Sequence, residues 1–262
     1  MDGEALTRQA ARAAYGWGRP QNWQDAIALL TQAAGAGEPD AAQQLKLVTQ
    51  TTIEALLTPP GVERLSNISL IGACRGFAPP GFSEWLIERT KDRLVAASVN
   101  TPDGAPAVRT AHDAALGPQQ RDLVLAIMQE RAARLMSVPV ERHEPPNVIS
   151  YEPGQEFGLH VDYIDPNVAQ YQAELQQLGQ RTATIVTYLN EDFEGAETLF
   201  PDAGVKFRGS TGDAIVFANV LPDGRPDYNT RHSGLPPTRG RKWVLSQWIR
   251  SQPFPYRPED LA

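Results

Sequence analysis

The stretch NVISYEPGQEFGLHVDY, residues 147–163, marks the point where the apolar residues change from helical spacing to strand spacing. Its first part is rich in β-branched and aromatic residues, and Pro and Gly then interrupt it. Similar short runs follow it, each bounded by turn residues: TATIVTYLN (182–190), AETLFP (196–201), VKFRG (205–209), DAIVFAN (213–219) and KWVLSQWIR (242–250). Many short strands with turns between them predict a double-sheet jelly roll or barrel.

The residues before this β-rich part have helical periodicity. From Glu4 to about Ile53, alanines and leucines recur at spacings of three and four, which predicts three short amphipathic helices that resemble tetratricopeptide-like repeats. Pro59, Pro60 and Gly61 then break the pattern, so we expect a helical segment at 1–58 and a second domain at 59–262. The sequence leaves open whether these helices cap that domain or bind a protein partner.

Two further helices and one insertion are expected within the second domain. Apolar stripes predict helices over Gly81 to about Ala97 and Pro118 to about Met136, which would support the sheet. The polar stretch 164–180 reads as a partly helical insertion directly after the His-Val-Asp sequence. Long insertions at such places often act as lids, and we expect this one and the loop 221–231 to close over a substrate.

Composition narrows the possible partners and compartments. The net charge of -7 and the absence of a run of Lys or Arg argue against nucleic acid and membrane surfaces as partners. A single cysteine, Cys74, excludes an internal disulfide framework. With an acidic N-terminus that lacks the apolar core of a signal peptide, these features predict a cytoplasmic protein.

His160 and Asp162 form the first candidate metal-ligating pair. Alternate residues of a strand point to the same face, so the two side chains would project together as neighbouring ligands of one ion. The pair alone carries little weight, because 31 of the 262 residues are acidic. A non-haem iron site needs a second imidazole from a distant strand, and His232, which follows DAIVFAN, is placed to supply it. We expect structural or surface roles for His112 and His143.

Lys242 is the candidate for holding an anionic co-substrate. It stands ten residues after His232 at the start of an apolar strand, on the same face as Val244, Ser246, Trp248 and Arg250. If 2-oxoglutarate chelates the iron, its distal carboxylate needs a fixed cation in the pocket.

In these motifs the chain resembles the prolyl 4-hydroxylase branch of the Fe(II)/2-oxoglutarate-dependent dioxygenases. The matching stretches, in family order, are YEPGQEFGLHVD, TATIVTYLN, EGAETLFP, STGDAIVF, RHSGLPP and GRKWVLSQWIR. With VRTA around Arg109, the resemblance covers about 66–250. It implies an α+β fold with a double-stranded β-helix core of the jelly-roll or cupin-like type and supporting helices, to which the helical periodicity adds the small all-α segment in front.

The resemblance also assigns roles to particular residues. It implies that His160, Asp162 and His232 bind Fe(II), that Lys242 holds the distal carboxylate of 2-oxoglutarate, and that Tyr151 and Thr198 donate hydrogen bonds to this co-substrate. It implies O2 as the second co-substrate and ascorbate as a reductant. Ala196 stands where the family has the second glycine of a turn, and Gly212 follows Thr211 where the family usually has lysine.

The implied reaction is hydroxylation of a prolyl residue in a peptide or protein, coupled to decarboxylation of 2-oxoglutarate to succinate and CO2. Because the matching motifs bind metal and co-substrate, they do not choose the substrate, and hydroxylation of a free amino acid or small metabolite is the alternative. A non-catalytic jelly-roll binding module is the alternative of another class. A zinc hydrolase would leave Lys242 unexplained.

Overall fold

The structure is a computed structural model that describes residues 2–97 and 109–255. Its first part is helical, with α1 at Gly3–Tyr15, α2 at Trp23–Gly35, α3 at Pro39–Val48 and the short α4 at Ile53–Leu57. Side chains cap three of these helices: Asp2 accepts from the Ala5 amide, Asn22 from the Asp25 amide and Thr52 from the Ala55 amide. The three predicted helices are therefore present, and α4 is an addition that its five residues were too few to reveal.

The strands are short, and most of them lie after residue 146. They are β1 (Val62–Arg64), β2 (Ile71–Cys74), β3 (Val95–Ala96), β4 (His112–Ala115), β5 (Asn147–Tyr151), β6 (Phe157–His160), β7 (Arg181–Tyr188), β8 (Phe193–Gly195), β9 (Thr198–Phe200), β10 (Val205–Phe207), β11 (Ala214–Ala218), β12 (His232–Gly234), β13 (Pro237–Gly240) and β14 (Lys242–Arg250).

An eight-stranded sheet in the order β1-β2-β11-β7-β14-β5-β4-β3 faces a four-stranded sheet in the order β10-β9-β12-β6. All their strand pairs are antiparallel. One hydrophobic cluster joins the two, with Ile149, Ile215 and Val244 from the large sheet and Phe200 and Phe207 from the small one. This double-sheet packing confirms the predicted jelly roll with supporting helices.

Successive side chains along the strands of the large sheet point to opposite faces, one toward the helices and one toward the small sheet. Ile185 and Leu245 point toward the helices, whereas Val186 and Val244 point toward the small sheet. Helices α5 (Phe82–Thr90) and α6 (Leu123–Met136) cover the first side. Every second residue of β7 and β14 therefore faces the interior between the sheets.

The predicted bounds of these two helices were wrong. The helix expected over 81–97 ends at Thr90, and after a 3-10 turn at Lys91–Arg93 the chain continues as β3, whose pairing with β4 at the sheet edge overrides the helical spacing. The helix expected from Pro118 begins at Leu123, because the buried carboxylate of Asp122 accepts from the Leu125 amide and caps it there. Residues 118–120 form a separate 3-10 turn.

His112, for which we expected a structural or surface role, begins β4. The insertion 164–180 contains a 3-10 turn at Ala169–Tyr171 followed by α7, Gln172–Leu178, as its partly helical pattern predicted.

The N-terminal helices share a hydrophobic core with the helices of the second part. Leu6, Ala10 and Leu30 belong to the same buried cluster as Ile127 of α6 and Leu245 of β14. In the part of the chain that the structure describes, we find no helix with the length and apolar character needed to cross a membrane.

Candidate metal and co-substrate site

His160 and His232 meet on neighbouring strands of the small sheet. His160 is the last residue of β6 and His232 the first of β12, and the antiparallel register pairs them directly. Their ring centroids lie 4.2 Å apart. Two imidazoles that are 72 residues apart in sequence, as their numbers show, thus come from adjacent backbone positions.

Asp162 completes the group, but not from the strand position that the sequence predicted. Strand β6 ends at His160, so Asp162 lies in the bend that follows and not on the same strand face. Its Oδ1 nevertheless lies 3.6 Å from Nε2 of His160, and its Oδ2 lies 4.0 Å from Nε2 of His232. One potential ligand atom from each of the three residues falls within 4.8 Å of the others.

The imidazoles are oriented for metal binding. Nδ1 of His160 lies 2.8 Å from the Gly158 carbonyl oxygen, and Nδ1 of His232 lies 3.0 Å from the Thr230 carbonyl oxygen. A carbonyl oxygen only accepts, so each Nδ1 carries a proton, and in the neutral imidazole the lone pair is then on Nε2, toward Asp162. Burial lowers the pKa of His232 to about 4, which keeps this imidazole neutral at neutral pH.

The carboxylate is held in its charged form. Burial alone would raise the pKa of Asp162, but in acid, where His160 and His232 carry protons, their interactions with the carboxylate and the charge of Arg181 bring this pKa below its usual range. Two neutral imidazole nitrogens and one carboxylate match the facial triad of non-haem Fe(II) oxygenases, which leaves further coordination positions open. Bonds of about 2 Å to a central ion span the observed separations with small adjustments.

Lys242 is buried at the other end of the same space. Its Nζ donates to the Ala196 carbonyl oxygen at 2.8 Å and lies 4.7 Å from the centroid of the Tyr188 ring. Burial lowers the pKa of Lys242 to about 7, an effect that the charge of Glu197 only partly offsets. A buried amine with a depressed pKa gains strongly from a neighbouring anion, which suits this end of the pocket to a carboxylate.

Ala196 explains how the carbonyl reaches Lys242. It has a φ of 57°, in the left-handed region that favours glycine. The substitution noted in the sequence therefore keeps the glycine-like backbone of the turn. The turn directs its carbonyl oxygen toward the amine.

Tyr151 and Thr198 line the same pocket as Lys242. Tyr151 is the direct register partner of Lys242 across β5 and β14, and burial raises the pKa of its phenol. Thr198, on β9, has its Oγ1 2.9 Å from the hydroxyl of Tyr188. All six side chains predicted for metal and co-substrate line one pocket, together with Phe157, Val244, Ser246 and Trp248.

The two remaining histidines lie away from this pocket. His143 is fully buried, and its backbone bridges to Ile249. His112 has its Nδ1 3.4 Å from the side-chain nitrogen of Gln155. The structure thus brings together two of the four histidines and leaves these two outside.

Sequence reasoning missed several polar residues around the site. Thr184 donates to Oδ2 of Asp162 at 2.6 Å, and Asn219 donates to Thr184 at 3.0 Å. Arg109, which the family resemblance included without a role, is buried beside the ring of Phe157, 5.2 Å from its centroid. The sequence feature that could have identified Thr184 is a polar residue on the inward face of an apolar strand, here TATIVTYLN.

Comparison with known proteins places this geometry in a family. Residues 146–250 match the sequence model of the 2OG-Fe(II) oxygenase superfamily. Prolyl 4-hydroxylase 13 of Arabidopsis thaliana is 30% identical over 217 residues, which cover 72% of this chain and 77% of that protein. Probable prolyl 4-hydroxylase 9 of the same plant is 28% identical over 197 residues, 67% of each chain.

Solved structures show the same fold. The viral collagen prolyl hydroxylase of Paramecium bursaria Chlorella virus-1, in its complex with 2-oxoglutarate, matches with a TM-score of 0.55 and 24% identity over 71% of this chain and 98% of that one. A Trichoplax adhaerens prolyl hydroxylase in complex with a peptide fragment of hypoxia-inducible factor matches with a TM-score of 0.53 and 14% identity, over 70% of this chain and 84% of that one.

The plant relatives, the family match over the metal-site strands and the jelly-roll fold agree with one another. The chain belongs to the 2OG-Fe(II) oxygenase superfamily and is a 2-oxoglutarate-dependent dioxygenase of the prolyl 4-hydroxylase type.

Proposed function

We propose that the protein hydroxylates a prolyl residue in a peptide or protein and couples this to decarboxylation of 2-oxoglutarate to succinate and CO2. The observation that carries the proposal is the joint pocket of His160, Asp162, His232 and Lys242. A metal triad and a buried cation in one space are the two parts that such a reaction requires.

The geometry supports a role for each residue. His160, Asp162 and His232 would hold Fe(II) through two Nε2 atoms and one carboxylate oxygen. Fe(II) in such a site, with 2-oxoglutarate and O2, supplies the oxidising power for hydroxylation of an unactivated C–H bond. Ascorbate is the reductant that we propose to keep the metal as Fe(II).

The other side chains bind and orient the co-substrate. Lys242 would pair with its distal carboxylate, with the hydroxyls of Tyr151 and Thr198 as hydrogen-bond donors to its oxygens. The apolar walls formed by half-buried Phe157 and buried Val244 and Trp248 exclude bulk water from the reacting atoms.

Arg109 supports a peptide as the substrate. Its side chain is buried next to Tyr151, and its Nη1 lies 3.4 Å from Oδ2 of Asp113, but its Nε and Nη2 find no hydrogen-bond acceptor among the described residues. Buried N–H groups without a partner are costly, so they suit a ligand that brings a carbonyl oxygen, as a peptide backbone does. The Trichoplax protein, which shares this fold, was solved with a bound peptide, and the plant relatives are named prolyl 4-hydroxylases.

The test begins without oxygen. Fe(II) and then 2-oxoglutarate should produce a metal-to-ligand charge-transfer band in the wild type, and His160→Ala should abolish it. Proline-containing peptides, the same peptides with alanine for proline, and free proline are then compared for succinate release and for gain of one oxygen atom. Oxygen gained by free proline but by no peptide would favour the small-metabolite alternative.

A further inference from the structure

Asn219 lies directly after β11, and it is buried between the supports of two of the proposed metal ligands. Its amide hydrogen donates to the Thr182 carbonyl oxygen at 2.8 Å, which fixes its backbone against β7. From this position its side chain and its backbone carbonyl lead to different ligands.

The side-chain path leads to Asp162. Nδ2 of Asn219 donates to Oγ1 of Thr184 at 3.0 Å, and Oγ1 of Thr184 donates to Oδ2 of Asp162 at 2.6 Å. A hydroxyl has one proton, and a charged carboxylate only accepts, so the proton of Thr184 must point at Asp162. This requires Asn219 to present its NH2 group, because an amide oxygen there would face the lone pairs of Thr184.

The two oxygens of Asp162 therefore have different partners. Oδ2 is occupied by the short hydrogen bond from Thr184, whereas Oδ1 faces Nε2 of His160 at 3.6 Å. Oδ1 therefore keeps its lone pairs for an ion.

The backbone path leads to His232. The carbonyl oxygen of Asn219 accepts from the Asp227 amide at 3.0 Å, and the carbonyl oxygen of Asp227 accepts from Thr230 through its amide at 3.1 Å and its hydroxyl at 2.7 Å. The Thr230 carbonyl oxygen is the acceptor for Nδ1 of His232. Asp227 and Thr230 are buried, so water does not compete for these bonds.

We propose that Asn219 is a positioning residue that sets the orientation of Asp162 and His232 together, through Thr184 on one path and the 227–230 turn on the other. Because the two ligands come from separate elements, a shared hydrogen-bonded residue keeps their donor atoms in register for one ion. The inference rests on the proposed metal site.

Substitution of Asn219 by aspartate tests the direction of the hydrogen bonds with almost no change of shape. An aspartate carboxylate accepts the Thr184 proton and turns it away from Asp162. Thr184→Val removes the hydroxyl at similar volume, and Thr184→Ser keeps it. Thr187→Val is the matched control, since Thr187 is also buried on β7 but lies three residues along, on the opposite face.

The measurement is Mn(II) affinity of the otherwise intact protein, followed by electron paramagnetic resonance. We expect N219D and T184V to bind Mn(II) about 10–100-fold more weakly, the range found for supporting residues of metal ligands, with T184S and T187V near the wild type. The melting temperatures of the metal-free variants are measured as well. A purely structural role would lower the melting temperature without a selective loss of Mn(II) affinity.

Wild-type Mn(II) affinity in both N219D and T184V would overturn the inference, whatever their melting temperatures. If N219D does not fold, the comparison of T184V with T184S and T187V decides. A wild-type protein that binds no Mn(II) would instead contradict the proposed function itself.

Discussion

The amine of Lys242 is buried between the rings of Tyr151 and Tyr188, so its charge depends on what binds beside it. Burial lowers its pKa to about 7, which means that above this pH the amine is largely neutral unless an anion binds beside it. It must then take up a proton to pair with a carboxylate. We expect the affinity for 2-oxoglutarate to fall above about pH 7, by up to about tenfold per pH unit.

Calorimetry measures this directly. Anaerobic titration of the Fe(II) protein at pH 8, in buffers of different ionisation enthalpy, should show uptake of a proton per 2-oxoglutarate bound. Lys242→Arg is the matched control, because a guanidinium stays charged and should bind without proton uptake. Equal affinity at pH 6 and pH 8 in the wild type would contradict the expectation.

His143 should make the protein sensitive to acid. It is fully buried, and burial lowers its pKa to about 4 from an ordinary value of 6.5. Between these values the unfolded chain binds the proton and the folded chain does not, so stability is lost as the pH falls from 6.5 toward 4. The loss attributable to this residue should reach about 2 kcal/mol at pH 5.

Urea unfolding at pH 7 and pH 5 checks the acid effect. His143→Gln should show a smaller loss of unfolding free energy between the two pH values than the wild type does. His112→Gln, which changes a histidine at the start of β4, should keep the full wild-type loss. The idea fails if H143Q and the wild type lose the same free energy.

At the residue scale, the sequence was most informative where chemistry restricts the residue type. His160, Asp162, His232 and Lys242 were found because few side chains ligate iron or pair with a carboxylate, and the structure places them in one pocket. Thr184 and Asn219 were missed because a buried Thr or Asn has many ordinary uses. Only their spatial relation to Asp162 distinguishes them.

Among the elements, the insertion 164–180 contacts the end of β14 through the buried side chain of Arg250. Arg250, 1% exposed, forms an ion pair with Glu174 of α7 and donates to the Gly179 carbonyl oxygen at 2.8 Å. Its Nε also pairs with Glu144, whose carboxylate Arg181 contacts through two nitrogens at 2.7 and 2.9 Å. The ring of Trp248, a wall of the pocket, lies 4.4 Å below Arg181, so the insertion connects to the site.

We propose that this insertion is a lid, and Glu174→Ala tests how it is held. Loss of the ion pair should speed hydrogen exchange of the amides in 172–178 and leave β7 and β14 unchanged. A loosened lid should also raise the succinate formed per hydroxylated product. Glu88→Ala serves as the control, because it breaks the exposed ion pair between Glu88 of α5 and Lys91 of the 3-10 turn that follows. Unchanged exchange in α7 of E174A would refute the proposal.

Most elements could be predicted from the sequence, but several bounds and edge strands could not. The runs at 147–151 and 242–250 have enough β-branched and aromatic residues to be recognised as strands from sequence alone. By contrast, β2 has the sequence IGAC and is a strand only because β1 and β11 pair with it on both sides. Such elements depend on long-range pairing, which local propensity does not record.

For the whole molecule, the question left by the sequence is whether the N-terminal helices form a unit of their own. The guanidinium of Arg121 lies 4.8 Å from the ring centroids of both Tyr15 and Trp17. The hydroxyl of Tyr15 donates to Gln129 of α6 at 2.9 Å, and Gln129 donates to Gln247 of β14 at 2.8 Å. These contacts and the shared hydrophobic cluster favour a cap over an independent partner-binding unit.

Leu30→Ala distinguishes the two possibilities, because Leu30 of α2 is completely buried in that shared cluster. Removal of its side chain leaves a cavity and should cost about 2–5 kcal/mol of unfolding free energy. If the helices and the jelly roll unfold together, the substitution lowers the unfolding free energy of the whole chain. The slowest-exchanging amides of β14 should then lose protection to the same extent as those of α1. Hydrogen exchange under native conditions, with Leu57→Ala as a buried control beyond the first three helices, provides the measurement. Loss of protection in α1–α3 with β14 unaffected in L30A would show a separate helical unit, which would then be free to serve a partner.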